Sequence, residues 1–450
     1  MKNARELAFQ VIYKVLEEGG FSHLVLAKIL KEEADAEKRD RAFLTRLAEG
    51  TLEHVLTLDY MLNQVSKTPV NKMKPVIRTI LRMSVYQLKY MDSVPDSAVC
   101  NEAVKLAKAK GFSGLSGFVN GVLRNVARGR ENWEKESFYP DKKKKPMQYL
   151  SVRYSMPEWL CEYFVKNYGF EIAEQIVQGS QRNPKTTIRC NTAKITAEEL
   201  RLRLLEQGYT VEKGTYAKDA WYLSGYDTLE KIPEFTEGLF QIQDESSMLV
   251  AELAGLKKDD LVVDVCSAPG GKATHAANLL QTLGGGNVIA RDVSEQKVAL
   301  IEENKSRLKA DNLTIQIFDA TRLDENLVEK ADVVIADLPC SGIGIMAKKP
   351  EIRYRMTKQE QKELVTLQKQ MLAVVHRYVK PGGILMYSTC TINIEENEQN
   401  AKEICDKYGF VPELSQECLP EKLRGRGDYL QLLPGVDECD GFFIARLRKL

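Results

Sequence analysis

From about Gly238 onward, five short apolar runs recur with longer amphipathic stretches between them: "LVVDVC", "NVIARDV", "TIQIFDA", "DVVIADL" and "GILMYST". A strand buried on both faces reads as a near-continuous run of Val, Ile and Leu, and such strands occur in parallel sheets covered by helices. The intervening "KATHAANLLQTL", "SEQKVALIEENKSRLKA" and "KQEQKELVTLQKQMLAVVHRYV" have helical length and spacing. Repeated strand–helix units predict a doubly wound, Rossmann-like α/β domain over residues 238–450. In that architecture ligands lie beyond the carboxyl ends of the strands. Those ends carry Asp264, Cys266, Asp292, Asp319, Asp337, Cys340 and Cys390.

A chain of 450 residues exceeds one ordinary core, so a multidomain protein is expected. Residues 1–140 read as helices throughout. In "ARELAFQVIYKVLEEGG", Leu7, Val11 and Val15 fall at helical spacing, and Gly19 and Gly20 close the segment. The similar stripes that follow predict an all-α bundle. The charge run and proline of "DKKKKPMQYL" read as a linker. Residues 146–237 read as a small α+β module, strand–helix–strand, with Thr196 as helix N-cap and Gly208 as its stop.

Charge is unevenly placed. Met1–Lys145 holds 26 Lys+Arg against 18 Asp+Glu, a net +8, whereas the remainder is −7. A basic first third points to an anionic macromolecular partner, with a solvated helical surface as the plainer reading. The amino-terminal stretch has charges throughout and no apolar h-region, so a secretory signal is not expected, and no apolar run has membrane-spanning length. Nine scattered cysteines without a CxxC pair, and only four histidines, argue for a reducing cytoplasm and against a disulfide framework or a metal site.

The turn "DVCSAPGGKAT" follows the first of the five runs. Gly270 and Gly271 let the backbone approach a ligand closely, and the helix start offers free N–H groups. Neither a Walker A loop nor GxGxxG is present, which disfavours a nucleotide or dinucleotide. Asp292 is suited to ribose hydroxyls and Asp319 to an adenine amino group. Acids at strand ends also serve as helix caps. Around a glycine turn they favour an adenosine ligand lacking a phosphate chain. S-adenosylmethionine is one, and acids attract its cationic sulfonium. Cys340 and Cys390 end neighbouring strands on one rim. A lone buried cysteine is usually an inert hydrophobe. Two, each followed by a hydroxyl residue and near Asp337 and a helix start, favour a reactive thiolate.

In order and spacing, "DVCSAPGGK", "DLPCSGIG" and "YSTCTINIEENE" resemble the RNA cytosine-5 methyltransferases. The helical first third resembles the NusB-like RNA-binding domain, and the combination resembles the Sun/Fmu (RsmB) branch. The resemblance implies methyl transfer from S-adenosylmethionine to C5 of a 16S ribosomal RNA cytosine, C967-type, through a covalent Cys–C6 adduct. It implies that Cys390 attacks; Cys340, on the Pro339 turn of the same rim, is expected to assist release, the exchanged roles being the competing view. Asp337 would hold the base near N3 and N4, protonated through burial. It further implies a cofactor pocket of Cys266, Ser267, Ala268, Pro269, Gly270, Gly271, Lys272, Asp292, Asp319 and Asp337. Ser267 departs from the family's usual Ala. Lys272 could instead face the RNA. A monomer acting on free or partly assembled small-subunit RNA is expected. The alternatives are methylation of another RNA, a NusB-like RNA-binding factor with a degenerate catalytic domain, and a nucleotide enzyme.

Overall fold

The computed structural model describes residues 3–33 and 35–450. Met1 and Lys2, at the head of the expected first helix, and Ala34 lie outside the described residues. The chain forms two compact units, residues 1–182 with 346–355, and residues 183–345 with 356–450.

The first unit is helical. Leu7, Val11 and Val15 of helix Ala4–Leu16 are buried, as their spacing requires. Helices Lys38–Glu53, Pro75–Tyr90 and Ser116–Arg128 supply much of the same core. The lysine run 142–145 is not where the chain divides. Helices Pro146–Tyr154, Glu158–Tyr168 and Phe170–Gly179 belong to this unit. Thr57 Oγ1 donates to Val152 O at 2.6 Å, and Leu56 N to Ser155 Oγ at 2.9 Å. A run of like charges marks solvent exposure, but Leu150, Leu160, Phe164 and Ile176 just after it are fully buried.

Residues 346–355 also belong here, although the sequence places them inside the α/β domain. The Glu351 carboxylate accepts from Ser22 N at 3.1 Å and Ser22 Oγ at 2.6 Å. Arg353, fully buried, donates to Glu53 O at 3.0 Å and to Ser180 O. Tyr354 OH meets Ser155 Oγ at 2.9 Å, and Arg355 donates to Val15 O and Gly20 O. Burial pushes the Glu53 carboxyl up to about 7, with Arg353 pulling the other way.

The second unit contains two sheets. Strands β1 (Thr186–Cys190), β2 (Thr210–Lys213), β3 (Ala220–Ser224) and β4 (Phe240–Ile242) form an antiparallel sheet in the order β2-β3-β1-β4. Its helix Ala197–Glu206 is capped by Thr196, whose side chain accepts from Glu199 N, and Gly208 follows at φ +85°. The five apolar runs form β5 (Leu261–Asp264), β6 (Asn287–Asp292), β7 (Leu313–Ile317), β8 (Ala331–Asp337) and β9 (Val379–Thr389), all parallel. Three strands not read from the sequence complete this sheet: β10 (Phe410–Pro412), β11 (Leu430–Leu432) and β12 (Phe442–Lys449). The main order is β10-β12-β9-β8-β5-β6-β7, with β10 and β12 antiparallel at one edge. After β7 the chain returns to the other side of β5, so the β5/β8 gap is the switch point where such sheets bind ligands.

A buried arginine ties the small sheet to the glycine turn of the larger one. Arg189 on β1 donates to Gly271 O at 2.8 Å and to Gln243, and burial lowers its pKa to about 9. A charge buried this deeply persists only when hydrogen-bonded. Replacing Arg189 by Leu leaves the Gly271 carbonyl without this donor and should destabilise the unit by about 1.5–3 kcal/mol, the range for a hydrogen bond to a charged group. Arg189→Lys should not restore the loss, because an ammonium cannot reproduce the guanidinium fork. Denaturant midpoints of the three proteins test this, and equal midpoints would show that Arg189 carries no such load.

Candidate active site

Strands β8 and β9 are in parallel register, with Asp337 opposite Ser388. Their ends therefore stop at one level, and the turns that follow bring Cys340 Sγ to 3.2 Å from Cys390 Sγ. Asp337 Oδ1 accepts from Ser388 Oγ at 2.9 Å, and Oδ2 from Lys272 Nζ at 2.7 Å. Lys272 begins the helix Gly271–Leu283 across the β5/β8 gap. Its direction, open from sequence, is toward Asp337, with the Phe442 ring centroid 5.3 Å from the ammonium. The apolar burial expected around Asp337 is not what surrounds it, since its oxygens meet a hydroxyl and an ammonium.

A buttress that the sequence reading missed holds the two cysteine turns. Glu396, fully buried, accepts from Ser341 N at 2.9 Å, Asn393 Nδ2 at 3.0 Å and Gln368 Nε2 at 3.0 Å. Gln368 Nε2 also lies 2.8 Å from Pro339 O. Ser341 Oγ and Thr391 Oγ1, the hydroxyls after each cysteine, share a 2.7 Å hydrogen bond. Gly344 N donates to Cys390 O at 3.2 Å, and Gly441 N to Gly344 O at 2.9 Å. A Cβ on Gly344 would fall 2.1 Å from Gly441 O, so only glycine allows these backbones to approach. The signal was present as an acid inside "INIEENE", but nothing local showed that Glu396 turns inward.

Cys340 is held well above the ordinary thiol range, first by its hydrogen bond with Cys390 and then by burial. It keeps its proton beside Cys390. Lys272 is raised despite burial, because the charge and hydrogen bond of Asp337 outweigh desolvation, and Asp264 and Cys390 add to the effect.

The glycine turn is held from below. Asp292 Oδ2 accepts from Ala268 N at 3.0 Å and Oδ1 from Val293 N at 2.8 Å, and Lys297 lies 3.1 Å from Oδ1. Gly270 takes φ +99°, and its N–H donates to Ser267 O at 2.6 Å. Asp319 is half-exposed beyond β7, its Oδ1 accepting from Thr321 N and Oγ1, which lowers its pKa. Pro269 O accepts from Asn304, and the Cys266 thiol is pushed up by burial.

Asp264 at the end of β5 is buried with neither carboxylate oxygen in a well-formed hydrogen bond, the Ser267 hydroxyl and the Cys266 N–H being its nearest donors. Burial pushes Asp264 up to about 7, Lys272 opposing and Asp337 adding. An unmatched carboxyl beside an open glycine turn fits a ligand that brings donors and positive charge, as S-adenosylmethionine does. Among the described residues no group of three or more His, Cys, Asp or Glu is placed to hold a metal ion, all nine cysteines are free thiols, and no helix is long and apolar enough to cross a membrane.

Two outcomes follow from these contacts. The folded pKa of Asp264 lies above its unfolded value of about 3.9. Between the two, the unfolded chain releases a proton that the folded chain keeps. Stability of the cofactor-free protein should therefore fall as pH rises from about 4 to 7 and then level off. Asp264→Asn should flatten that part of the melting profile, and an unflattened profile would assign it to other groups. Asp292→Ala releases the Ala268 N–H and should weaken cofactor binding by about 1.5–3 kcal/mol. Unchanged affinity by calorimetry on the folded variant would remove Asp292 from the site.

The sequence matches the family described as 16S rRNA methyltransferase RsmB/F over residues 251–448. It matches the NusB family over 2–128 and the RsmF/B-like ferredoxin-like domain over 156–227. It is 37% identical to the probable ribosomal RNA small subunit methyltransferase B of Bacillus subtilis, across 99% of each chain. Identity to the protein of the same description from Synechocystis is 32% across 100% of each. The crystal structure of PH0851 has a similar fold, with TM-score 0.80 at 24% identity over 98% of each chain. A methyltransferase homolog protein from Pyrococcus horikoshii is 29% identical, with TM-score 0.58 over 68% of this chain and 99% of that one. With the NusB-like helices, the ferredoxin-like sheet and the glycine turn in one chain, the protein belongs to the ribosomal RNA small subunit methyltransferase B family of S-adenosylmethionine-dependent RNA methyltransferases.

Proposed function

We propose that the enzyme methylates C5 of one cytosine in 16S ribosomal RNA, C967-type, through a covalent bond between Cys390 and C6. The observation that carries this reading is the pair of thiols 3.2 Å apart beside the Lys272–Asp337 ion pair. Cytosine C5 is a weak nucleophile in an electron-poor ring. Addition of the Cys390 thiolate to C6 forms the S–C6 bond and moves the C5=C6 electron pair to C5, while N3 takes a proton. Lys272 holds such a proton, and Asp337 is an acceptor for the N4 amino group. The ion pair thus supports a division in which the lysine serves N3 and the carboxylate serves N4. S-adenosylmethionine supplies the electrophilic methyl group when bound.

After transfer, C5 must lose its proton so that the S–C6 bond breaks and C5=C6 re-forms. Cys340 Sγ, 3.2 Å from the sulfur that forms the adduct, is placed to take the C5 proton as a thiolate, its own proton having passed to solvent beforehand. The target base must leave its stack to reach this rim. The reading assigns cofactor binding to Cys266–Lys272, Asp292, Asp319 and Asp337. It assigns RNA holding to the helical first unit, linking or RNA contact to the β1–β4 module, and chemistry to the domain built on β5–β12. Two adjacent free thiols suit a reducing cytoplasm, where a monomer would meet free or partly assembled small-subunit RNA.

Cys390→Ala should abolish methylation and give no covalent complex. Cys340→Ala should attack, transfer a methyl group and stay bonded to its RNA. The signature is a protein–RNA band that survives denaturing electrophoresis and vanishes when Cys390 is also replaced. If Cys390→Ala trapped RNA and Cys340→Ala did not, the two roles would be exchanged. Normal turnover by Cys340→Ala would leave it a buried thiol only. Bisulfite sequencing of ribosomal RNA from a deletion strain identifies the cytosine.

A further inference from the structure

The first unit carries an exposed apolar knob that the folding of its core does not use. Phe21 and Leu24, at the start of helix Ser22–Glu32, are 55% and 59% exposed. The other large apolar side chains exposed in this unit, among the described residues, are Leu115 and Ile172 at 37% each. At 100° per residue, Leu24, Lys28 and Lys31 share one face of the helix, and Phe21 sits at its head. Both lysines are exposed. The Arg355 guanidinium lies 5.7 Å from the Phe21 ring centroid, and the His23 ring lies 6.2 Å away, tilted. The charge of Lys349 is felt at His23.

The knob is rigidly mounted. Glu351 binds both Ser22 N and Ser22 Oγ, and Arg355 binds Val15 O and Gly20 O on the other side of Phe21. Arg355, Lys349 and Glu351 all lie on the segment 346–355, which begins six positions after Cys340. The chain that makes the Cys340 turn therefore continues directly into this patch.

Surface composition points to the class of partner. Protein interfaces are depleted in lysine, whereas two apolar side chains here are bordered by Lys28, Lys31, Lys349 and Arg355. Single-stranded nucleic-acid sites combine an aromatic platform with cations that follow the backbone. We propose that Phe21 and Leu24, with these four cationic residues, form a binding site for single-stranded RNA. One unpaired base stacks on the open side of the Phe21 ring, and the lysines meet the flanking phosphates. This rests on the reading that RNA is the substrate, and adds a contact made outside the catalytic unit.

The test uses the full chain and a short fluorescein-labelled single-stranded RNA, with Kd measured over a series of salt concentrations. Phe21→Ala should weaken binding about 5- to 100-fold, the range for loss of one stacked base, and leave the salt slope unchanged. Phe21→Tyr should restore affinity. Lys28→Ala should weaken binding and reduce the salt slope by about one. S-adenosylhomocysteine affinity and the melting temperature should be unchanged in all three. Equal RNA affinity for wild type and Phe21→Ala overturns the proposal. It is also overturned if Phe21→Ala loses affinity only for assembled ribosomal particles and not for the RNA, since the patch then docks protein. Failure of the wild type to methylate ribosomal RNA would count against the proposed function instead, so the two failures are distinct.

Discussion

The parallel pairing of β8 with β9 is the constraint from which the rest of the site follows. Opposed at Asp337 and Ser388, the strands end level, and each continues into a turn carrying a cysteine. A shift of one residue would reverse the faces of one strand relative to the other and separate the sulfurs. The register is held by a core on both faces of the sheet, including Val334, Ala336, Leu385 and Tyr387 on one side and Val333, Ile335, Ile384 and Met386 on the other. The meeting of the two thiols is a by-product of ordinary strand packing, sharpened at the ends.

The sharpening is polar. Glu396 gathers donors from both turns and from helix Lys358–Val375, and the two hydroxyls beside the cysteines bond to each other. A buried carboxylate is costly unless its oxygens are matched, and Glu396 is matched by three different segments. Those segments are thereby held in one arrangement. At Asp264 the same principle gives the opposite result. Its oxygens have only the Ser267 hydroxyl and the Cys266 N–H near them, in poor geometry, and burial pushes its pKa up to about 7.

The loop between β8 and β9 also departs from the compact logic of a doubly wound sheet. It leaves the catalytic unit after Ile345, places Glu351, Arg353, Tyr354 and Arg355 among the helices of the first unit, and returns at Met356. Arg353 is fully buried there on backbone carbonyls. The helical unit is therefore completed by a piece of chain from between β8 and β9.

What the sequence determined alone is what local patterning encodes. The five apolar runs, the Thr196 cap, the Gly208 stop and the Gly270 turn each depend on residues within one or two turns of one another, and periodicity exposes them, although β7 lies at the sheet edge and is only partly buried. The level ends of neighbouring parallel strands were also legible, because the strand order of such folds is restricted, and with them the meeting of Cys340 and Cys390. Tertiary structure decided the partners. Lys272 could have faced either way until Asp337 was seen 2.7 Å from it. Glu396 looked like one acid among three. The helices after the lysine run belong to the first unit, where Leu56 N and Thr57 Oγ1 bond Ser155 and Val152, a choice invisible in the charges before them. Segment 346–355 is polar and lacks an apolar period, so only the carbonyls and hydroxyls waiting in the first unit decide where it goes. Spacing along a chain fixes which side chains share a face; only the approach of distant segments fixes which charge meets which.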